Sequence, residues 1–196
     1  MEEFQSTGRM DIENSLSKEH LRISRIISIT MVIGVLFLFF IILYFYSASE
    51  NQVDTLPKTD DVAFFSNIIL IITIVDYIIF LIFPRFFLTR KNIQNRLVQL
   101  AFDKNNKKTE NPVIKLIIFD RIYMIIRLAM LEGVALFGMV VLYLSVTNGE
   151  LFFRPLLWLW VIPGIILVFF IFQNYLFKES YVDRIENQIL ARLKEL

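Results

Sequence analysis

The run from Ile26 to Tyr46 reads IISITMVIGVLFLFFIILYFY and contains no charged residue. A helix needs about 20 apolar residues to cross roughly 30 Å of hydrocarbon, because each residue adds about 1.5 Å. The run has this length, and it exceeds the roughly 7 to 15 apolar residues in the core of a secretory signal. It therefore predicts a retained transmembrane helix.

Three later apolar runs have the same property. The chain has 196 residues, of which 56% are hydrophobic, and its mean hydropathy is +0.60. This composition is far too apolar for a soluble domain. We predict an all-α membrane protein, an up-down bundle of four transmembrane helices with helical cytoplasmic extensions. The predicted spans are about 26–46, 62–84, 122–146 and 156–177.

The basic residues predict the orientation of these spans. Of the 20 Lys and Arg residues, 17 lie in the segments 1–25, 85–121 and 178–196, whereas the other two loops contribute only Lys58 and Arg154. Short loops rich in Lys and Arg stay in the cytoplasm. We therefore expect a multi-pass protein of the bacterial inner membrane with both termini cytoplasmic. An outer aromatic belt is predicted at Tyr44, Tyr46, Trp158 and Trp160.

The predicted domains follow from this orientation. Segment 1–25 is a cytoplasmic tail, 26–177 is the four-helix transmembrane domain, and 178–196 is a cytoplasmic amphipathic tail helix. Within the transmembrane domain, segment 85–121 is predicted to form a helical hairpin in the cytoplasm.

The hairpin prediction rests on two local patterns. Ile93, Leu97 and Leu100 repeat at helical spacing after the second span. Asn111 followed by Pro112 places a good N-cap residue before the residue favoured at the first helical position. The third long helix is therefore expected to begin at Pro112, well before its apolar part.

The C-terminal tail carries an apolar stripe on a charged helix. Ser180 is predicted to cap this helix, with Asp183 three residues later. The stripe consists of Ile185, Ile189, Leu193 and Leu196. Three alternatives are open, in which it packs on the hairpin, lies on the membrane surface, or docks another protein.

Three ionisable residues lie inside the predicted spans, Asp76, Arg127 and Glu132. A charge at the centre of a membrane helix costs on the order of 2.5 to 3.5 kcal/mol, so such residues normally face a partner. Their depths are similar, which predicts one intramembrane polar layer. We expect Asp76 to pair with Arg127, with a bond from Arg127 to Asp120 as the alternative. Glu132 then has no cation, and we expect it to be protonated and to donate a hydrogen bond to a neighbouring helix.

Two further patterns surround this layer. Ser66, Thr73 and Tyr77 share a helix face with Asp76, which predicts a polar access stripe. Ala129 and Gly133 form a small-xxx-small pair, which predicts close helix packing inside one bundle or between two protomers.

The sequence lacks the residues and motifs that several classes of function require. The chain has no cysteine, and its single histidine, His20, precedes the first span, so no disulfide, iron–sulfur cluster, membrane-embedded haem or metal site is expected. No cofactor is predicted. We find no hydrolase, zinc or phosphate-binding motif, so an enzyme is not expected. The 20 basic and 19 acidic residues give no nucleic-acid signature.

The stretch IIRLAMLEGVALF at residues 125–137 resembles the third-helix motif I-I-R-x-A-L-L-E-G-x-A-L-F of uncharacterised small four-helix membrane proteins from Bacteroidetes-like bacteria. Met130 stands where that motif has leucine. The turn Thr147-Asn148-Gly149 is also similar. The resemblance covers the second half of the chain and implies a fold and a compartment, but no activity.

Two hypotheses of function follow. In the first, the protein is a structural or accessory subunit in the lipid bilayer, whose polar layer fixes helix packing and whose cytoplasmic helices bind a protein partner or a second copy. In the second, it is a small proton-linked transporter or channel that uses Asp76, Arg127 and Glu132. Water access to the two carboxyl groups distinguishes them.

Overall fold

The computed structural model describes residues 7–16, 18–49, 61–100 and 111–194. Over these residues the chain is helical without a strand, which confirms the all-α class. Four helices are long and apolar enough to cross a membrane: His20–Ser49, Val62–Phe87, Pro112–Thr147 and Pro155–Tyr175. They correspond to the four apolar runs of the sequence.

The helices are numbered here in chain order. The first five are α1 (Arg9–Ser15), α2 (Lys18–Ser49), α3 (Asp61–Phe87), α4 (Arg90–Gln99) and α5 (Pro112–Thr147). A single turn, α6 (Glu150–Phe153), precedes a 3₁₀ segment, Pro155–Val161, that continues into α7 (Ile162–Tyr175). The tail is formed by α8 (Lys178–Arg184), a π-helical turn (Ile185–Leu190) and α9 (Ala191–Lys194).

The start of α5 is the predicted one. Pro112 is its first helical residue, and the Asn111 side-chain oxygen accepts a hydrogen bond from the Val113 backbone N–H at 2.9 Å. The helix that follows the second span, in contrast, is separate from it. α3 ends at Phe87, and Thr89 is extended (φ −71°, ψ 143°) before α4 begins.

The predicted cap at Ser180 is wrong. α7 ends at Tyr175, the chain bends, and Phe177 is the extended N-cap residue of a helix that begins at Lys178. Ser180 therefore lies inside the first turn. Asp183, which was expected to complete the cap, instead accepts a hydrogen bond from Arg9 at 2.7 Å.

The chain divides into two compact units. Unit 1 comprises Met1–Ser28, Leu81–Arg127 and Ile171–Leu196, and unit 2 comprises Ile29–Phe80 and Leu128–Phe170. Each of the four long helices contributes one end to each unit. Unit 1 thus contains the segments that were predicted to be the two tails and the hairpin.

Unit 1 has a core of its own, in which the tail packs on the hairpin. Ile185, Ile189 and Leu193 are buried in one cluster with Ile93 and Leu97 of α4. The same cluster contains Val113, Leu116 and Ile117 from the first turns of α5, and Ile12 and Leu16 from the N-terminal segment. Of the three alternatives for the tail stripe, the structure shows the first. Leu196 lies outside the described residues.

Close approach in unit 2 occurs at Gly138. A Cβ atom there would lie 2.5 Å from the backbone carbonyl oxygen of Trp160, so α5 packs directly on the 3₁₀ segment. The predicted pair behaves differently. Ala129 is exposed, and a Cβ atom at Gly133 would meet nothing within 4 Å. The structure therefore shows no close approach to Gly133 among the described residues, and the packing of Ala129 and Gly133 against another helix or a second protomer stays a prediction.

Candidate functional site

In unit 1, the buried centre is an ion pair between α5 and the tail. Arg184 Nε donates to Asp120 Oδ1 and Arg184 Nη2 donates to Asp120 Oδ2, both at 2.7 Å. The Arg184 side chain is 4% exposed and that of Asp120 is 0% exposed. Arg184 Nη1 also donates to the backbone oxygen of Asn174 at 2.7 Å. The guanidinium thus makes the paired, charge-assisted bonds that a buried cation requires.

Aromatic rings enclose this pair. The Cζ atom of Arg184 lies 4.4 Å from the centre of the Tyr175 ring and 4.7 Å from that of Tyr181, within cation–π range. Burial disfavours the charged form of Arg184, but the Asp120 carboxylate outweighs this effect and raises the pKa of Arg184. Burial also raises the pKa of Tyr181, whose hydroxyl lies 3.4 Å from that of Ser24.

Arg127 forms a hydrogen bond with a tyrosine of its own helix and not with Asp120. Its Nη1 donates to the Tyr123 hydroxyl at 3.3 Å, and its Cζ lies 5.5 Å from the centre of that ring. The alternative bond from Arg127 to Asp120 is not formed, and each oxygen of the Asp120 carboxylate accepts a bond from Arg184 instead. Asp76 belongs to unit 2 and Arg127 to unit 1, so their pairing stays a prediction.

Sequence reasoning missed Arg184 by placing it among the solvated basic residues of the tail. The sequence contains a pattern that indicates burial of Arg184. This residue follows Tyr181 by three positions and precedes Ile185, so it lies on the flank of the apolar stripe. Asp120 lies between Leu116 and Tyr123 at the same kind of helical spacing. A charge on an apolar helix face predicts a buried partner.

Unit 2 contains a cavity of about 860 Å³ between α3 and residues 153–166. α3 contributes the polar side chains of Ser66, Asn67, Thr73 and Tyr77 to its lining, and Arg154 and Trp160 contribute the others. Near one end, Trp160 Nε1 donates to Ser66 Oγ at 3.1 Å. The three residues of the predicted access stripe therefore line one space. Asp76, which shares their helix face, is not among the lining residues.

Two hydroxyl groups of this cavity are buried and lack a hydrogen-bond partner among the described residues, Thr73 Oγ1 and Tyr77 OH. Thr73 as a whole is only 7% exposed. Leaving a buried polar group unsatisfied costs about 1 to 3 kcal/mol. Such groups are rare in folded proteins and call for an explanation, such as a ligand.

Glu132 lies against a glycine. One of its carboxyl oxygens is 3.8 Å from the position that a Cβ atom would take at Gly34 of α2. Within unit 2, neither Glu132 nor Asp76 has an ion pair or a side-chain hydrogen bond with another described residue. The expected hydrogen bond from Glu132 to a neighbouring helix is not found among the described residues of unit 2.

The aromatic belt residues pack on one another in unit 2. The Tyr46 ring stacks on Phe152 with centroids 4.6 Å apart and meets the Trp158 ring edge-on at 5.4 Å. These contacts join the end of α2 to the segment before α7. Tyr44, also predicted for the belt, is 71% exposed.

No protein-family model matches the chain, and comparison with curated proteins and with solved structures finds no similar protein. The resemblance at residues 125–137 therefore stays a prediction. In the described part of the chain, no three His, Cys, Asp or Glu side chains are grouped so that they could hold a metal ion.

Proposed function

We propose that the protein is a structural or accessory subunit of the bacterial inner membrane, with both termini in the cytoplasm and unit 1 as a folded cytoplasmic platform for a protein partner. The distribution of basic residues supports the orientation, since 17 of 20 fall in segments that belong to unit 1. Four membrane-length helices support the membrane assignment.

The observation that carries the proposal is the bidentate bond between Asp120 and Arg184. A buried ion pair adds little net stability compared with apolar residues of the same size, but it penalises every arrangement in which one partner is left alone. The pair therefore fixes one position of the tail on α5. A tail that only needed to be soluble would not require this ion pair, whereas a binding surface needs rigid elements to support it.

Among the exposed apolar side chains of unit 1, those of Met10 and Val98 lie on short helices outside the four membrane-length helices, where a partner could bind. Met10 of α1 is 78% exposed and Val98 of α4 is 66% exposed. A photocrosslinking amino acid at either position should give one discrete protein adduct in growing cells. The same amino acid at Phe40, 64% exposed on α2 in unit 2, should not.

The adduct must also depend on the fold of unit 1. We expect it to disappear in Arg184→Met and to return in the double variant Asp120→Leu, Arg184→Met, in which no charge is left buried. Absence of a discrete adduct at both Met10 and Val98, or an adduct that survives in Arg184→Met, contradicts a platform function.

The orientation has a separate test, made simple by the absence of native cysteine. A membrane-impermeant thiol reagent applied to intact cells should label Asn148→Cys and leave Lys107→Cys unlabelled. Labelling of Lys107→Cys would reverse the topology.

A second candidate function, proton-linked transport, is favoured by Asp76 and Glu132, which form no ion pair with another described residue of unit 2. A carboxyl group without a cation can hold and release a proton during a transport cycle. In liposomes, Glu132→Gln should fold normally and abolish proton flux, since an amide cannot release a proton. A parent protein without flux, compared with empty liposomes under an imposed pH gradient, counts against transport.

A further inference from the structure

We propose that the cavity of unit 2 binds a neutral, lipophilic ring compound that carries a carbonyl oxygen and an apolar tail, of the chemical class of the isoprenoid quinones. The proposal concerns binding alone and includes no electron transfer. It rests on the walls of the cavity, on its depth and on two unsatisfied hydroxyl groups.

The size and charge of the cavity favour a neutral small molecule. Its volume of about 860 Å³ lies within the roughly 300 to 1,000 Å³ of small-molecule sites. The walls are mainly apolar, with Leu70, Leu159, Ile162 and Ile166 among them. Of the lining residues, Arg154 carries a charge, and Glu150 neutralises it at 3.4 Å. An anionic ligand would therefore find no free cation in the lining.

The depth of the unsatisfied hydroxyls argues against an ordinary phospholipid. Thr73 and Tyr77 follow Val62 by 11 and 15 residues in a candidate span of 26 residues, so both lie near its middle. An acyl chain at that depth offers no hydrogen-bond acceptor, and the ester carbonyls of a phospholipid stay near the membrane surface, beside the headgroups. A mobile, uncharged carbonyl compound can bring its acceptor to mid-membrane.

The two hydroxyls suit such a ligand. Neighbouring atoms cover both oxygens in the structure. A ligand therefore bonds them after a change of side-chain rotamer, which is common on binding. The Trp160 N–H is already bound to Ser66, so the indole contributes a flat apolar surface to the lining. Flat rings pack well against such a surface.

The test uses Trp160 as a reporter. The chain has two tryptophans, so Trp158→Phe leaves Trp160 as its one indole fluorophore. This protein in nanodiscs is titrated with decylubiquinone, and we expect saturable quenching. Adding Thr73→Val and Tyr77→Phe removes both hydroxyls at nearly constant shape and should raise the Kd about tenfold, the effect of losing two hydrogen bonds. Tyr143→Phe, outside the cavity, should leave the Kd unchanged.

The melting temperature distinguishes a variant that does not fold from a variant that folds but binds unchanged. Loss of an unpaired hydroxyl should not unfold the protein, and an unchanged melting temperature of the double variant verifies this. Quenching that rises linearly without saturation overturns the proposal. So does a Kd that the double variant leaves unchanged. Equal quenching by a phospholipid brominated in its acyl chains would assign the cavity to ordinary lipid instead.

Discussion

Units 1 and 2 both bury polar groups, and they treat them differently. In unit 1, Asp120 and Arg184 are charged, and each finds its partner at 2.7 Å. In unit 2, Thr73 and Tyr77 are neutral, and their hydroxyls have no partner among the described residues. Leaving a buried charge of this kind without its partner would cost far more than leaving a hydroxyl unpaired.

The packing of apolar groups shows the same contrast. Unit 1 stacks Phe87 on Phe119 and on Tyr123, with ring centroids 5.4 and 5.6 Å apart. Unit 2 leaves a cavity of about 860 Å³ beside α3. The ion pair holds the tail of unit 1 in one position, whereas the cavity of unit 2, with two unsatisfied hydroxyls, can accept a ligand. This difference is why we assign a platform to unit 1 and a ligand to unit 2.

The largest expected effect comes from breaking the ion pair of unit 1. Arg184→Met leaves the Asp120 carboxylate buried without its cation, which should lower the free energy of unfolding by about 3 to 5 kcal/mol. Hydrogen exchange of the backbone amides of 178–194 reports on this unit directly.

The double variant Asp120→Leu, Arg184→Met provides the control, because apolar residues in place of a buried pair are often neutral or stabilising. Arg9→Met is a second control. Arg9 is exposed and pairs with Glu13 and Asp183, so its loss should change exchange far less. If Arg184→Met exchanges like the parent, the tail is not held by this pair.

An intermediate effect is expected from two glycines of α5 in unit 2. Gly138→Ala would place a methyl group 2.5 Å from the Trp160 carbonyl oxygen, and a backbone neighbour cannot move away easily. We expect it to destabilise by about 1 to 3 kcal/mol. Gly133→Ala meets nothing within 4 Å and should be neutral or stabilise by up to about 1 kcal/mol, the helix preference for alanine.

Thermal unfolding followed by tryptophan fluorescence compares these variants, since both tryptophans lie in unit 2. Equal melting temperatures for Gly138→Ala and Gly133→Ala would mean that α5 does not touch the 3₁₀ segment.

The sequence predicts those features that depend on neighbours along the chain. Run length is enough to find the four long helices, because helix rise and membrane thickness are fixed quantities. Asn111 and Pro112 predict the start of α5, since capping acts within three residues. The apolar spacing of Ile185, Ile189 and Leu193 predicts a buried stripe, but the surface that covers it depends on the fold.

The features that the sequence does not predict depend on distant parts of the chain. Arg127 lies seven residues from Asp120, and spacing alone suggests that they pair, yet the partner of Asp120 is 64 residues away. Gly133 and Gly138 look alike in sequence, and only the path of the 3₁₀ segment distinguishes them. The buried Ile12 of α1 was missed because a seven-residue helix is too short to show a periodic pattern.

The smallest expected effect is a loss of stability at alkaline pH that originates in unit 1. Burial raises the pKa of Tyr181 above the value of about 10 for a free phenol. As the pH rises above 10, the unfolded chain therefore releases this proton before the folded chain does, and stability falls, by at most about 1.4 kcal/mol per pH unit. Below pH 10 the Tyr181 phenol does not make the stability depend on pH.

Tyr181→Phe should remove this part of the alkaline loss. Its hydroxyl lies 3.4 Å from that of Ser24, a weak contact, so the variant should unfold close to the parent at pH 8 and at a higher temperature than the parent at pH 11. Tyr44→Phe, at a tyrosine that is 71% exposed, should follow the parent at both values. Circular dichroism during heating provides the measurement. If Tyr181→Phe and Tyr44→Phe lose stability equally between pH 8 and pH 11, then burial does not raise the pKa of the Tyr181 phenol, and the description of Tyr181 as a fully buried residue of unit 1 fails.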